Sequence, residues 1–312
     1  MSRLVFALLV FFAVAFVFYL RPVGVGGEQT FAIARGEKFS SITARLKSAE
    51  LVRSQSALKI FSFLTGSAWR LKPGSYNLAP TMSVPEILMA LVAGEKEIEA
   101  TIPEGSTIYD IDALLTEKNI LPLGVLINYA SSTSELEGRL FPDTYRFFLN
   151  SSPAEVVQKF KNNFAAKAAP LLTAAKTPTS TLILASLLER EVPDYEDRRV
   201  VAGILLKRLA ERIPLQVDAT ICYAKEIKAG YNVPCLPFTD IDFKIDLAYN
   251  TYLYKGWPPS PIGNPGLHAI KAALAPKASD YWYYLSDPVS KRTIFSKTLD
   301  EHSRNKVKYL AR

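Results

Sequence analysis

Pro193 sets the first hard limit on how this chain can fold. A proline removes a backbone N–H and pushes the preceding residue out of helical space, so a helix must stop there. The pattern on either side is helical. Upstream, Thr179-Ser-Thr-Leu-Ile-Leu-Ala-Ser-Leu-Leu188 carries no charge, and Ser180 can cap its start. Downstream, Asp194 can cap a second helix, in which Val200, Val201, Ile204, Leu205 and Leu209 keep helical spacing. Glu189, Arg190 and Glu191 stand at the break. Glu189 shares a helix face with Leu182 and Ser186, so its surroundings are apolar or small. Burial and the negative end of the helix dipole both disfavour its charged form. A carboxyl with a raised pKa is what a general acid needs near neutral pH. The plainer reading of the same triplet is a solvated helix end.

Leu4 to Leu20 is a run of 17 residues without a charge. That is long for a signal-peptide core and near the short limit of a membrane span. No small-x-small cleavage site follows directly; Arg21-Pro22 and the Gly-rich spacer Val23 to Gly27 do. Residues 1–27 are therefore expected to form an anchor and spacer, with the body outside the cytoplasm. A cleaved signal peptide is the alternative, and it leaves the body in the same compartment. The net charge of +7 is spread along the chain. It gives no nucleic-acid footprint and suits anionic membrane or wall polymers. His268 and His302 are too few for a metal cluster, and no CxxC, HExxH or phosphate-binding Gly loop accompanies them. No metal or cofactor is expected. Cys222 and Cys235 can either bond outside the cytoplasm or remain two buried thiols.

Between Thr30 and Ser131 the chain repeats itself weakly. Ile33-Ala-Arg-Gly36 through Leu46 aligns with Ile102-Pro-Glu-Gly105 through Leu115, and Leu51 and Leu58 align with Ile120 and Ile127. Each copy reads as strand, Gly turn, amphipathic helix, loop and second helix. Leu71 to Leu78 reads as a strand, and Ser83-Val-Pro-Glu opens a helix with cap and first-turn proline in place. The strand-helix-helix-strand order of residues 28–132 looks like a LysM-type carbohydrate-binding unit; a spacer is the other reading. Next, Glu137-Gly-Arg-Leu-Phe-Pro-Asp143-Thr-Tyr145 offers aromatics and an acid in a loop, as a sugar platform does. A turn with Phe141 and Tyr145 in the core explains it equally. Gly256 to Gly266 is a Pro/Gly-rich loop of the kind that lines sites, and Tyr281–Leu285 with Thr293–Phe295 reads as a hairpin.

Leu184-Ala-Ser-Leu-Leu-Glu189-Arg-Glu191, Leu215-Gln216-Val-Asp218-Ala-Thr220, Tyr249-Asn250-Thr251-Tyr252 and Pro258 to Gly266 resemble the YceG-like family of endolytic murein transglycosylases, as does the Glu137–Tyr145 run. The likeness covers residues 28 to 312 in the same order. It implies an α+β chain: an N-terminal transmembrane helix, a LysM-like α+β region, and a mixed α/β catalytic domain over 133–312. It implies cleavage of the N-acetylmuramic acid–N-acetylglucosamine β-1,4 bond with formation of 1,6-anhydro ends. The family's catalytic glutamate is carried onto Glu189. Gln216, Asp218, Thr220, Tyr249 and Asn250, with Asp143 and Tyr145, are expected to hold sugar and N-acetyl groups. The resemblance implies peptidoglycan strands, the cytoplasmic membrane and peptidoglycan synthases as partners, and neither metal nor cofactor. A two-carboxylate muramidase and a non-catalytic wall-binding anchor are the competing functions. Two departures stand out: Ala219 occupies the place of a usual proline, and Ala224 to Asp246 diverges.

Overall fold

A computed structural model describes residues 2–94, 97–133, 136–149, 151–173, 175–231 and 233–310. The chain divides into two compact units, 1–97 and 98–312. The boundary expected near residue 132 lies inside the second.

The first unit starts with helix α1 (Ser2–Leu20). Strands β1 (Gln29–Ile33) and β2 (Gly74–Leu78) pair antiparallel, Phe31 opposite Tyr76. Helices α2 (Phe39–Ser48) and α3 (Gln55–Leu64) lie between them in sequence, and α4 (Val84–Ala93) follows. Alternation along the strands turns Phe31, Ile33, Tyr76 and Leu78 inward, where Leu46, Leu58, Ile87 and Leu91 meet them. Ser54 caps α3 through Ala57 N, and Ser83 and Glu86 form the expected capping box on α4. Among the described residues no helix is long and apolar enough to cross a membrane. The side chains of Leu4 and Leu8, within the expected span, lie outside that description.

The second unit opens with the same element order. Strand β3 (Glu97–Thr101) and β4 (Thr144–Phe148) share a sheet, with α5 (Ile108–Glu117) and α6 (Val125–Thr133) between them. The repeat thus closes twice as strand-helix-helix-strand. The second closing strand begins directly after Asp143, and its Tyr145 and Phe147 pack with Phe160 of α7 (Pro153–Lys167) in the core around Ile111, Leu115 and Leu126. After the short α8 (Ala169–Thr173) comes α9 (Pro178–Glu191), in which Leu182 through Leu188 are all buried. A helix apolar on every side belongs in the middle of a packed body. Pro178 occupies its first turn, so it starts earlier than a Ser180 cap would allow. Val192 ends it before Pro193, and Asp194 caps α10 (Tyr195–Ala210) by accepting from Asp197 N at 2.9 Å. Helices α11 (Asp218–Ala229) and α12 (Leu267–Leu274) follow, then the antiparallel hairpin of β5 (Tyr283–Ser286) and β6 (Thr293–Ser296), and α13 (Leu299–Leu310). Cys222 and Cys235 are joined, tying α11 to the loop after it.

Candidate active site

The charged end of α9 distributes its three side chains to three surroundings. Neighbouring positions on a helix point about 100° apart, so Glu189, Arg190 and Glu191 cannot share one face. Arg190 reaches Glu226 at 3.7 Å and the Ile262 carbonyl at 3.4 Å.

Glu189 is nearly sealed from solvent and tied down. Its Oε1 accepts from the Arg198 guanidinium at 2.5 Å, and its Oε2 accepts from Gly266 N at 2.9 Å. Burial raises its pKa, and the Glu104 charge adds to the rise, while Arg198 and the Gly266 N–H pull against it. Glu104 comes so close that a Cβ on residue 266 would sit 1.8 Å from its Oε1. A larger residue at 266 would have to push the Glu104 side chain aside.

Among the described residues no cation is bonded to the Glu191 carboxyl. Its Oε1 accepts from Ala219 N at 3.1 Å, and its Oε2 accepts from Tyr284 OH at 3.2 Å. Burial, reinforced by the neighbouring Asp218 charge, pushes its pKa up to about 7, against the Ala219 and Tyr284 bonds. The residue remains partly exposed. Around it the chain gathers distant segments. Asp218 is exposed at the first turn of α11 and accepts from Tyr252 OH. Gln216 is exposed too, with its Oε1 held by Arg208 at 2.7 Å. Its backbone sits at φ 53°, and Gln216 N donates to the Thr251 carbonyl at 3.1 Å. A non-glycine residue in that left-handed region persists only where its surroundings hold it, and such positions cluster at working sites.

The other expected site residues take different places. Thr220 and Asn250 are fully buried. Thr220 donates to the Val217 carbonyl at 2.6 Å and shares a hydrogen bond with Thr251 at 3.0 Å. The Asn250 amide donates to the carbonyls of Phe243 and Ile245, and its oxygen accepts from Tyr252 N. Both shape the backbone under Gln216 and Tyr252. Tyr249 is half-buried, hydrogen-bonded to Ser260 at 2.6 Å and set edge-on against Tyr223. Tyr145 lies in the core of the second repeat, donating to the Phe141 carbonyl at 2.5 Å. Asp143 is bound by Asn163 at 2.6 Å and by Lys167. These two line a shallow groove of about 540 Å³ between β4 and α7. No bond joins them to the groups around Glu191 among the described residues.

Glu137 is a buried junction. Its carboxylate accepts from Ile108 N at 3.1 Å, Tyr223 OH at 2.9 Å and Asn264 Nδ2 at 2.8 Å. Burial pushes its pKa up to about 7, against those bonds. Sequence reasoning quoted Glu137 as part of a loop, placed Tyr284 only in a hairpin strand, and did not name Arg208. Tyr284 stands 93 positions beyond Glu191, inside a strand with no motif around it.

The family model described as the YceG-like family matches residues 31–308. The chain belongs to the YceG-like family. It is 28% identical to the endolytic murein transglycosylase of Bacillus subtilis strain 168, over 94% of this chain and 88% of that one. It is 26% identical to the endolytic murein transglycosylase of Streptococcus pneumoniae D39, over 93% of this chain and 60% of that longer protein. A crystal structure of a yceG-like protein from Listeria monocytogenes superposes with a TM-score of 0.56 at 26% identity, covering 90% of this chain and all of that one. The YceG-like fold is accordingly mixed α+β. The departure at Ala219 acquires a geometric meaning in this YceG-like chain. A proline there has no N–H, so the bond from residue 219 to Glu191 would be absent.

Proposed function

We propose that this chain is an endolytic lytic transglycosylase of peptidoglycan, held at the cytoplasmic membrane by α1 with its body outside. It cleaves the β-1,4 bond between N-acetylmuramic acid and N-acetylglucosamine and so ends nascent glycan strands beside the synthases that make them. The curated relatives named above support the reaction class. The anchor reading is supported by the uncharged Leu4–Leu20 run and by the exposed apolar side chains of α1, such as Phe6, Phe11 and Phe12, which are costly to leave in water. The strand-helix-helix-strand order of the first unit keeps a LysM-like sugar-binding role open to it.

The observation that carries the mechanism is the environment of Glu191. A carboxyl with a pKa of about 7, hydrogen-bonded among the described residues to the Ala219 N–H and the Tyr284 hydroxyl and lying near Asp218 and Tyr252, suits a proton donor. Glu189, expected as the donor from sequence, is bound at both oxygens by Arg198 and Gly266, so its role is to brace the end of α9. Glu191 protonates the leaving glycosidic oxygen as the C1–O bond breaks, giving an oxocarbenium-like state. Its carboxylate then takes the proton from the muramyl C6 hydroxyl as O6 closes onto C1. The proton returns to Glu191 and no water is consumed. Glycosidases use two carboxylates; here the substrate brings its own nucleophile. Asp218, Gln216 and Tyr252 orient the sugar, with Tyr249 as a further contact.

Mass spectrometry of digested glycan strands tests this, since an anhydro end is lighter than a hydrolysed end by one water. Glu191→Gln is expected to stay folded and lose about 10²–10⁴-fold in rate, or more because one residue serves both steps. Wild-type anhydro release by a folded Glu191→Gln protein returns the role to Glu189. Reducing ends instead of anhydro ends make the chain a hydrolase with Asp218 as second carboxylate.

A further inference from the structure

Helix α3 is apolar on two sides. One side, Ala57 and Leu58, belongs to the core of the first unit. The other carries Ile60, Phe63 and Leu64, which share a face by their spacing and are 51%, 50% and 76% exposed. The helix ends in the short turn Ser67–Trp69, and Trp69 is 74% exposed. The aromatic rings make a chain across this surface, Phe39 to Phe63 at 5.5 Å and Phe63 to Trp69 at 5.3 Å, both edge-on. From Leu51 to Pro85 the sequence has no Asp or Glu, while Lys59 and Arg70 flank the patch.

The position of this surface is fixed by α1. Just ahead of α3, Arg53 donates to the carbonyls of Pro22 and Val23 at 2.8 and 2.9 Å. Its guanidinium also lies 4.9 Å over the ring of Phe18, in the last turn of α1. The start of α3 is thereby held at the end of the apolar helix. Ten residues of helix extend about 15 Å, so the whole patch stays near that end.

We infer that the Ile60–Phe63–Leu64–Trp69 face rests in the headgroup layer of an anionic membrane. Exposed aromatics beside cationic side chains, with acids excluded, are the composition that this layer favours, because rings settle at the boundary and Lys and Arg meet lipid phosphates. The inference rests on the anchor reading above and adds a second contact that sets how the first unit leans on the bilayer.

The test uses the full chain reconstituted in vesicles of phosphatidylglycerol and phosphatidylcholine whose acyl chains carry bromine, a contact quencher of indole fluorescence. Flotation is measured on the same samples. Trp69→Phe keeps an aromatic ring at an exposed position, so the fold should be unaffected. The expected result is quenching in the wild type that is lost in Trp69→Phe. That difference should shrink when phosphatidylglycerol is left out, because anionic headgroups draw Lys59 and Arg70. A chain that floats while Trp69→Phe leaves the quenching unchanged overturns this contact and leaves the anchor standing. A chain that stays in the aqueous phase overturns both. Glycan strands that shield Trp69 from iodide, with no effect of brominated lipid, would make the face a sugar surface and sink the inference.

Discussion

Two residues next to Glu191 push its proton affinity in opposite directions, and each can be changed alone. The Asp218 charge raises the pKa of Glu191, and the Ala219 N–H lowers it. A general acid must be protonated before it donates, so the rate should fall as pH rises through about 7. Asp218→Asn removes the neighbouring charge and should move this alkaline limb to lower pH, with activity weakened but present. Ala219→Pro deletes the N–H and should move the limb to higher pH; residue 219 lies in the first turn of α11, where proline is tolerated. Profiles of kcat/KM against pH for the two variants check this, and shifts of the same sign would exclude Glu191 as the titrating group. Glu189 calls for a different measurement. Glu189→Gln leaves Arg198 buried without its counter-charge, a change that typically costs about 3–5 kcal/mol. A clear drop in thermal midpoint, with anhydro product still formed below it, is the expected outcome.

At the scale of elements, Glu137 joins pieces that are remote in sequence: the start of α5, Tyr223 of α11 and Asn264 of the Pro/Gly-rich loop. All three partners donate to it. Glu137→Gln replaces one acceptor oxygen by an NH2 that meets donors, and should destabilise the protein by about 1–3 kcal/mol in a thermal or denaturant melt. Its folded pKa of about 7 lies above the ordinary 4.5, so the stability it confers is present at low pH and lost as pH rises between those values. In Glu137→Gln the fall of the thermal midpoint across that window should flatten without vanishing, because Glu191 titrates there as well. The sequence announced these elements better than it announced their partners. The Pro193 break, the Asp194 cap and the Ser83 capping box are local chemistry and read directly. Strand β4 was half-visible, since its Tyr145 serves equally as core or as platform until Phe160 is known to lie against it. The proposal of Glu191 over Glu189 rests on Arg198, Gly266, Ala219 and Tyr284, and no periodicity within α9 reports which of these each carboxylate meets.

Every group assigned to catalysis comes from the second unit, which also has two hydrophobic cores of its own. A protein comprising residues 98–312 should therefore fold and release anhydro ends from soluble strands. Circular dichroism and the same mass assay check it, and a folded but inert fragment would place part of the site in residues 1–97. The long reach from Glu191 to Tyr284 also has a consequence in time. A polypeptide enters the world from its N-terminus, and Tyr284 emerges 93 residues after the carboxylate it holds. Until the β5–β6 hairpin has been made, the Glu191 carboxyl lacks the Tyr284 hydroxyl that donates to its Oε2. The bond that fixes this carboxyl at one of its two oxygens is therefore among the last contacts of the site to be synthesised.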